Sequence, residues 1–164
     1  MTDHLLADVP DGVDEFSWLA ACAAVRLYCG WHIAPVVTET LTLDGPGGTL
    51  LRLPSARVVN VLSVTNFGTV IDQPEWSSDG MIRAHCWTER FRGVVVELTH
   101  GLDECPPDVL EVMKQMSTPG AGAASSLTSG PFTMAFSAAA QAGAVGLSGQ
   151  HRGVLKKYRL GPRP

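Results

Sequence analysis

Between Ser117 and Gly149 the sequence is built mainly from three small residues: nine alanines, six glycines and six serines fill 21 of the 33 positions. Such a stretch offers little apolar surface to offset the roughly 1–2 kcal/mol that ordering each backbone residue costs. The core of this 164-residue chain must therefore come from the residues around it, and 117–149 is expected to be a mobile arm. One island differs. Phe132, Met134 and Phe136 alternate with Thr133 and Ala135, the period-2 pattern of a strand with one apolar face. A lone strand needs an edge to join. Two edges stay open, a β-sheet of its own chain or that of a neighbouring subunit, and the second makes Phe132, Met134 and Phe136 candidate subunit-interface residues.

Before the arm the texture changes once, from helix to strand. Over 13–29, Trp18, Cys22, Val25 and Cys29 share one face at 3.6-residue spacing, while Phe16, Leu19, Ala20, Ala23 and Leu27 cover much of the remainder. Asp11 and Asp14 suit its N-terminus and Gly30 its end. A helix apolar nearly all round is expected to be contacted on two sides, which adds Trp18 to the interface candidates. Residues 36–43 are rich in β-branched side chains, Asp44-Gly45-Pro46-Gly47-Gly48 has turn composition, and 49–53 is expected to pair back as a hairpin. Further strands are expected at 58–65, 69–71 and 93–99, with a short hairpin of Glu75-Trp76-Ser77 and Met81-Ile82-Arg83 around Ser78-Asp79-Gly80. Pro106-Pro107-Asp108 opens a second helix, since proline fits the first helical turn, and Val109, Leu110, Val112, Met113 and Met116 supply its apolar stripe. That helix is expected to stop at Ser117-Thr118-Pro119. A last short helix, from His151 to about Tyr158, carries Val154, Leu155 and Tyr158 on one side.

The expected fold class is thus α+β: a small helical bundle with an inserted antiparallel β module of five to seven strands, a Gly/Ala-rich arm carrying one strand, and a short basic C-terminal helix. Three parts follow: a body over 1–116, the arm over 117–149 with its strand at 132–136, and the basic helix and tail over 150–164.

Charge is distributed unevenly. All sixteen acidic residues lie at or before Glu111, where only six basic residues accompany them, so 1–111 sums to −10 and 112–164 to +6. Arg152, Lys156, Lys157, Arg159 and Arg163 crowd the last thirteen positions. Such an end is aimed at a partner of opposite sign or is simply solvated. Only 17% of the chain is charged, below the roughly 25% of ordinary domains, which suits surface hidden in an assembly. No apolar run reaches the roughly 20 residues a membrane span needs, and Met1-Thr2-Asp3-His4 lacks the basic start of a signal peptide, so a soluble cytosolic chain with no membrane partner is expected.

Catalytic signatures are missing. The sequence has no nucleophile elbow, phosphate-cradling loop, paired-histidine zinc motif or dinucleotide fingerprint, and Gly45-Pro46-Gly47-Gly48 reads as a turn. His85, Cys86, His100 and Cys105 carry the right ligand chemistry for zinc but not the spacing of a standard site, so a zinc-dependent hydrolase or regulatory domain stays a remote alternative. The absence of Cys-x-x-Cys pairs favours reduced thiols. Trp18, Trp31, Trp76 and Trp87 sit among acidic rather than basic neighbours, which favours packing over base stacking. No catalytic residue, metal or cofactor is expected.

The order of these elements resembles the head-to-tail adaptor (head-tail connector) proteins of long-tailed bacteriophages, particularly those infecting actinobacteria. The matching residues are Trp31-His32-Ile33-Ala34-Pro35, Glu75-Trp76-Ser77-Ser78-Asp79-Gly80-Met81 and Phe91-Arg92-Gly93-Val94-Val95-Val96-Glu97-Leu98-Thr99-His100-Gly101. Pro106-Pro107-Asp108-Val109, Gly130-Pro131-Phe132-Thr133-Met134 and Leu155-Lys156-Lys157-Tyr158-Arg159-Leu160 extend the match over nearly the whole chain. The resemblance implies a structural virion protein and not an enzyme. Its relatives form a ring, typically of twelve subunits, that docks beneath the portal in the virion neck, presents a platform to the tail-side neck component and lets genomic DNA pass through its lumen without sequence recognition. It would be built in the host cytoplasm during assembly. Arg152, Lys156, Lys157, Tyr158 and Arg159 then become candidate portal-binding residues, and the charge gradient alone suggests that the acidic body lines the lumen. The runner-up is a head-closure or tail-completion protein of the same neck. One departure stands out: Thr118-Pro119-Gly120 cuts short a helix that continues in the relatives.

Overall fold

The computed structural model describes residues 6–117, 126–129, 132–135 and 147–161. The chain divides into two compact units, each assembled from separated segments.

The first unit holds 29–105 together with residues 6–7 and 158–161, and it is the β module. Strands β1 (Val37–Leu43), β7 (Val94–His100), β3 (Val58–Asn66) and β4 (Thr69–Val70) form one antiparallel sheet in the order β1-β7-β3-β4. A second antiparallel sheet runs β2-β6-β5, from Leu50–Arg52, Met81–Arg83 and Glu75–Ser77. The alternation along β7 sends Val94, Val96, Leu98 and His100 inward, where the three apolar residues meet Leu51, Leu53, Val58, Val64, Ile82 and Trp87 in one core. Glycine at residue 93 precedes β7, which is the central strand expected there, with β1 and β3 on either side. Asn66-Phe67-Gly68-Thr69 makes the expected turn, with φ of 47° and 81° at its two central residues, the signs a type I′ hairpin requires. The Glu75–Ser77 and Met81–Arg83 hairpin is also present, with Trp76 opposite Ile82.

The expected hairpin of 36–43 with 49–53 is not formed. β1 pairs along its whole length with β7, and β2 pairs with β6 in the other sheet. Residues 44–48 cross between the sheets beside the 88–90 loop, where the amides of Gly45 and Gly47 donate to the carbonyls of Arg90 and Thr88. A β-carbon on Gly45 would stand 1.9 Å from the Thr88 carbonyl oxygen, so glycine is required by close approach and not by a reversing turn.

The second unit, whose described residues are 8–28, 106–117, 126–129, 132–135 and 147–157, carries the helices. Most of α1 (Glu15–Cys29) belongs to it. The helix is capped by Asp14, whose Oδ2 accepts the Ser17 amide at 2.8 Å and the Ser17 hydroxyl at 2.9 Å. Those two bonds, the backbone one first, hold the Asp14 carboxyl below its usual 3.8. Helix α2 (Pro107–Ser117) starts with proline at its first position and buries Val109, Val112, Met113 and Ser117. Leu110 and Met116, expected in the same stripe, are only half-buried. The third helix, α3 (Gly149–Leu155), continues as a 3-10 turn over Lys156–Tyr158. Its capping box is closed reciprocally by Ser148 and His151. Of the apolar face expected on it, Leu155 is buried, while Val154 is exposed.

Among the described residues of the arm there are two strands where one was expected. β9 (Phe132–Ala135) pairs antiparallel with β8 (Ser126–Ser129), setting Leu127 opposite Met134 and Ser129 opposite Phe132. The edge that β9 joins within the chain is thus a partner made of Ser-Leu-Thr-Ser, which small polar residues had hidden. Phe136 lies outside the described residues.

Candidate assembly surfaces

Helix α1 buries Trp18, Ala21, Cys22, Val25 and Cys29, the stripe its spacing predicts. Trp18 has no exposed surface and is a core residue of its unit. On the opposite stripe Phe16, Leu19, Ala23 and Leu27 recur at three- and four-residue intervals and are all exposed, Phe16 to 79% and Leu27 to 86%. Of the two sides expected to be covered, the described residues cover one.

A second apolar surface lies on the β module. The outer face of the four-stranded sheet carries Thr42, Val95, Thr65 and Val70 in one row across its strands, with Thr38 bonded to Thr99 through their hydroxyls at 2.8 Å further along. At the end of the sheet nearest the β3–β4 turn, an open groove is lined by Thr65, Phe67, Arg90, Phe91, Arg92 and Val95, with Gly68, Glu89 and Gly93. Phe67 and Phe91 are exposed to 60% and 87%, and the Arg90 guanidinium lies 4.7 Å from the centre of the Phe67 ring. Local bonds hold the loops: the Phe67 amide donates to Gly93, the Arg92 amide to the Asp44 carboxylate, and Asn66 ties down Cys86 and Thr88 with both ends of its amide. Phe67 beside Gly68 in a predicted turn and Phe91 between two arginines are the sequence signals that mark this patch.

The basic end is in part committed to the chain itself. Lys157 pairs with Asp108 at 2.7 Å, and Tyr158 accepts the Trp31 indole N–H on its carbonyl at 2.6 Å. Arg152, Lys156 and Arg159 are exposed. The zinc candidates do not gather: among the described residues no three of His, Cys, Asp and Glu could hold a metal ion. His100 is instead a core residue hydrogen-bonded to Glu39, and His85 and Cys86 are exposed in a loop. No disulfide joins the four cysteines, and burial pushes the Cys29 thiol up to about 11 against the opposing charge of Arg159. Trp31 and Trp87 are buried with Trp18, and only Trp76 is partly exposed. No helix among the described residues is long and apolar enough to cross a membrane.

No protein-family model matches the chain, and neither does any curated protein. Solved structures do. A chain from the neck of a native GTA (gene transfer agent) particle, computed with C12 symmetry, superposes with a TM-score of 0.54 at 17% identity, over 94% of this chain and 89% of that one. A chain from the neck of an empty GTA particle, computed with C6 symmetry, gives 0.49 at 19% identity, over 99% and 90%. The first match establishes a shared α+β fold over nearly the full length of both chains.

Proposed function

We propose that this chain is a structural component of a phage-like neck, a non-enzymatic adaptor of which twelve copies close into a ring between the portal and the tail-side neck component, with DNA passing through the lumen. The observation that carries the reading is the fold shared, over 94% of the chain, with a protein of a C12-symmetric particle neck. The exposed apolar faces on α1 and on the β module, which no described residue covers, support it, because a ring subunit needs two surfaces for its neighbours. In this reading residues 1–116 form the adaptor body, the arm 117–149 contributes Phe132, Met134 and Phe136 to contacts between subunits, and 150–164 faces an acidic portal surface through Arg152, Lys156 and Arg159. Lys157 contributes there less than its sequence position suggests, since Asp108 already holds it.

The test is a neck reconstruction by cryo-electron microscopy of particles made with and without the gene. A ring of this chain directly beneath the portal, and DNA-filled tailless heads in its absence, are expected. Tailed infectious particles that lack the chain overturn the reading.

A further inference from the structure

Two exposed apolar surfaces in this molecule are complementary in charge as well as in chemistry. The groove at the end of the four-stranded sheet presents Phe67, Phe91 and Val95 between Arg90 and Arg92, two of only six basic residues in 1–111. The outer stripe of α1 presents Phe16, Leu19, Ala23 and Leu27, and its first turn is preceded and opened by Asp11, Asp14 and Glu15, all exposed. An open aromatic groove flanked by Arg90 and Arg92, with Glu89 the one acidic residue in its lining, fits an apolar helix whose N-terminal end is acidic, and aromatic residues of this kind are enriched at interfaces.

We infer that the α1 stripe of one copy seats in the Phe67–Phe91–Val95 groove of the next, with the acidic start of the helix against Arg90 and Arg92. The occupant of the groove is a second copy of this chain. Because the two surfaces are different, the contact is head-to-tail, the kind that propagates around a ring and does not end at a pair. The inference rests on the ring reading above and names the surfaces that would close it.

Two exposed substitutions test it without touching the core. Phe91→Asp removes the groove and Leu27→Asp the stripe, and both variants should keep the wild-type circular dichroism. The wild-type chain, concentrated, should self-associate in sedimentation, and each variant alone should do so at least about tenfold more weakly. An equimolar mixture of the two should recover a 1:1 dimer and nothing larger, since one good groove and one good stripe remain. A photo-crosslinker at Leu27, in a mixture of light and heavy-isotope chains, should join light to heavy at peptides containing Phe67 or Phe91. A monomeric wild type, a mixture that stays monomeric, variants that associate normally, or crosslinks confined to one chain, as cover by the 118–146 segment would give, each overturn the inference. A chain found as a ring in the neck but crosslinked elsewhere refutes this contact and leaves the neck reading standing.

Discussion

Glu39 and His100 meet across the β1–β7 pair, carboxylate oxygen Oε1 to ring nitrogen Nε2 at 2.8 Å, with His100 only 1% exposed. A carboxylate accepts, so Nε2 donates, and Nδ1 is buried without a partner among the described residues. His32 lies alongside, its ring centre 5.7 Å away, and its own Nε2 is 2.7 Å from the Pro35 carbonyl. The pair is diagonal, two residues out of register, Glu39 facing Leu98 and His100 facing Val37. Glu39→Ala should lower stability by about 1–3 kcal/mol in urea unfolding, because it strands the buried ring. Glu39→Val with His100→Leu should recover most of that loss; a double variant as unstable as the single one would show that the pair is not the cause.

Thiol chemistry should sort the cysteines by burial. Cys86 is exposed, Cys105 intermediate, and Cys22 and Cys29 buried, so at pH 8 an aromatic disulfide reagent should label Cys86 first and leave Cys22 and Cys29 until the chain unfolds. The unfolded chain loses the Cys29 proton near 9.0 and the folded one only near 11. The folded state is therefore penalised as pH rises between those values, by about 2–3 kcal/mol at the top of the window, and Cys29→Ser should flatten that part of the pH–stability curve.

Gly45→Ala should cost about 1–3 kcal/mol in thermal unfolding, since its β-carbon would be driven into the Thr88 carbonyl and the backbone would have to part. Gly48→Ala, where nothing stands within 4 Å, should cost far less. Equal losses would mean that flexibility, and not close approach, sets the requirement.

At the basic end, Arg152→Glu with Lys156→Glu should leave unfolding unchanged and abolish capture of the portal. Lys157→Glu should instead destabilise the chain slightly, by up to about 1 kcal/mol, because it breaks a partly exposed pair with Asp108. Portal capture by the double variant at the wild-type level would remove these residues from the interface.

Local signals in the sequence located α1 and its Asp14 cap, the Pro107 start of α2, the Phe67-Gly68 turn and the central β7, because each is specified by spacing or by one residue's backbone preference. Strand partners were less legible. The glycine-rich 44–48 stretch looks locally like a reversal, and only the distant 88–90 loop reveals it as a crossing between sheets. β8 was hidden for the opposite reason: Ser-Leu-Thr-Ser has one apolar residue, so its pairing comes from the register with β9 and not from a pattern of its own. On the candidate surfaces, periodicity identified α1 as apolar nearly all round and grouped Trp18, Cys22, Val25 and Cys29 on one face, but could not say which face the chain itself buries. Which stripe of such a helix turns inward depends on its packing partners, and those are set in tertiary structure.

Phe67 and Arg92, both at the groove, hold left-handed backbone angles, φ of 47° and 53°, that side-chain-bearing residues other than asparagine and aspartate seldom adopt. Asparagine at position 67 would sit more comfortably in the same turn, so Phe67→Asn should raise the melting temperature of the isolated chain while weakening its self-association. A laboratory selection for heat resistance alone would accordingly discard the aromatic ring and return a sturdier chain stripped of the groove anchor proposed above for joining its neighbours.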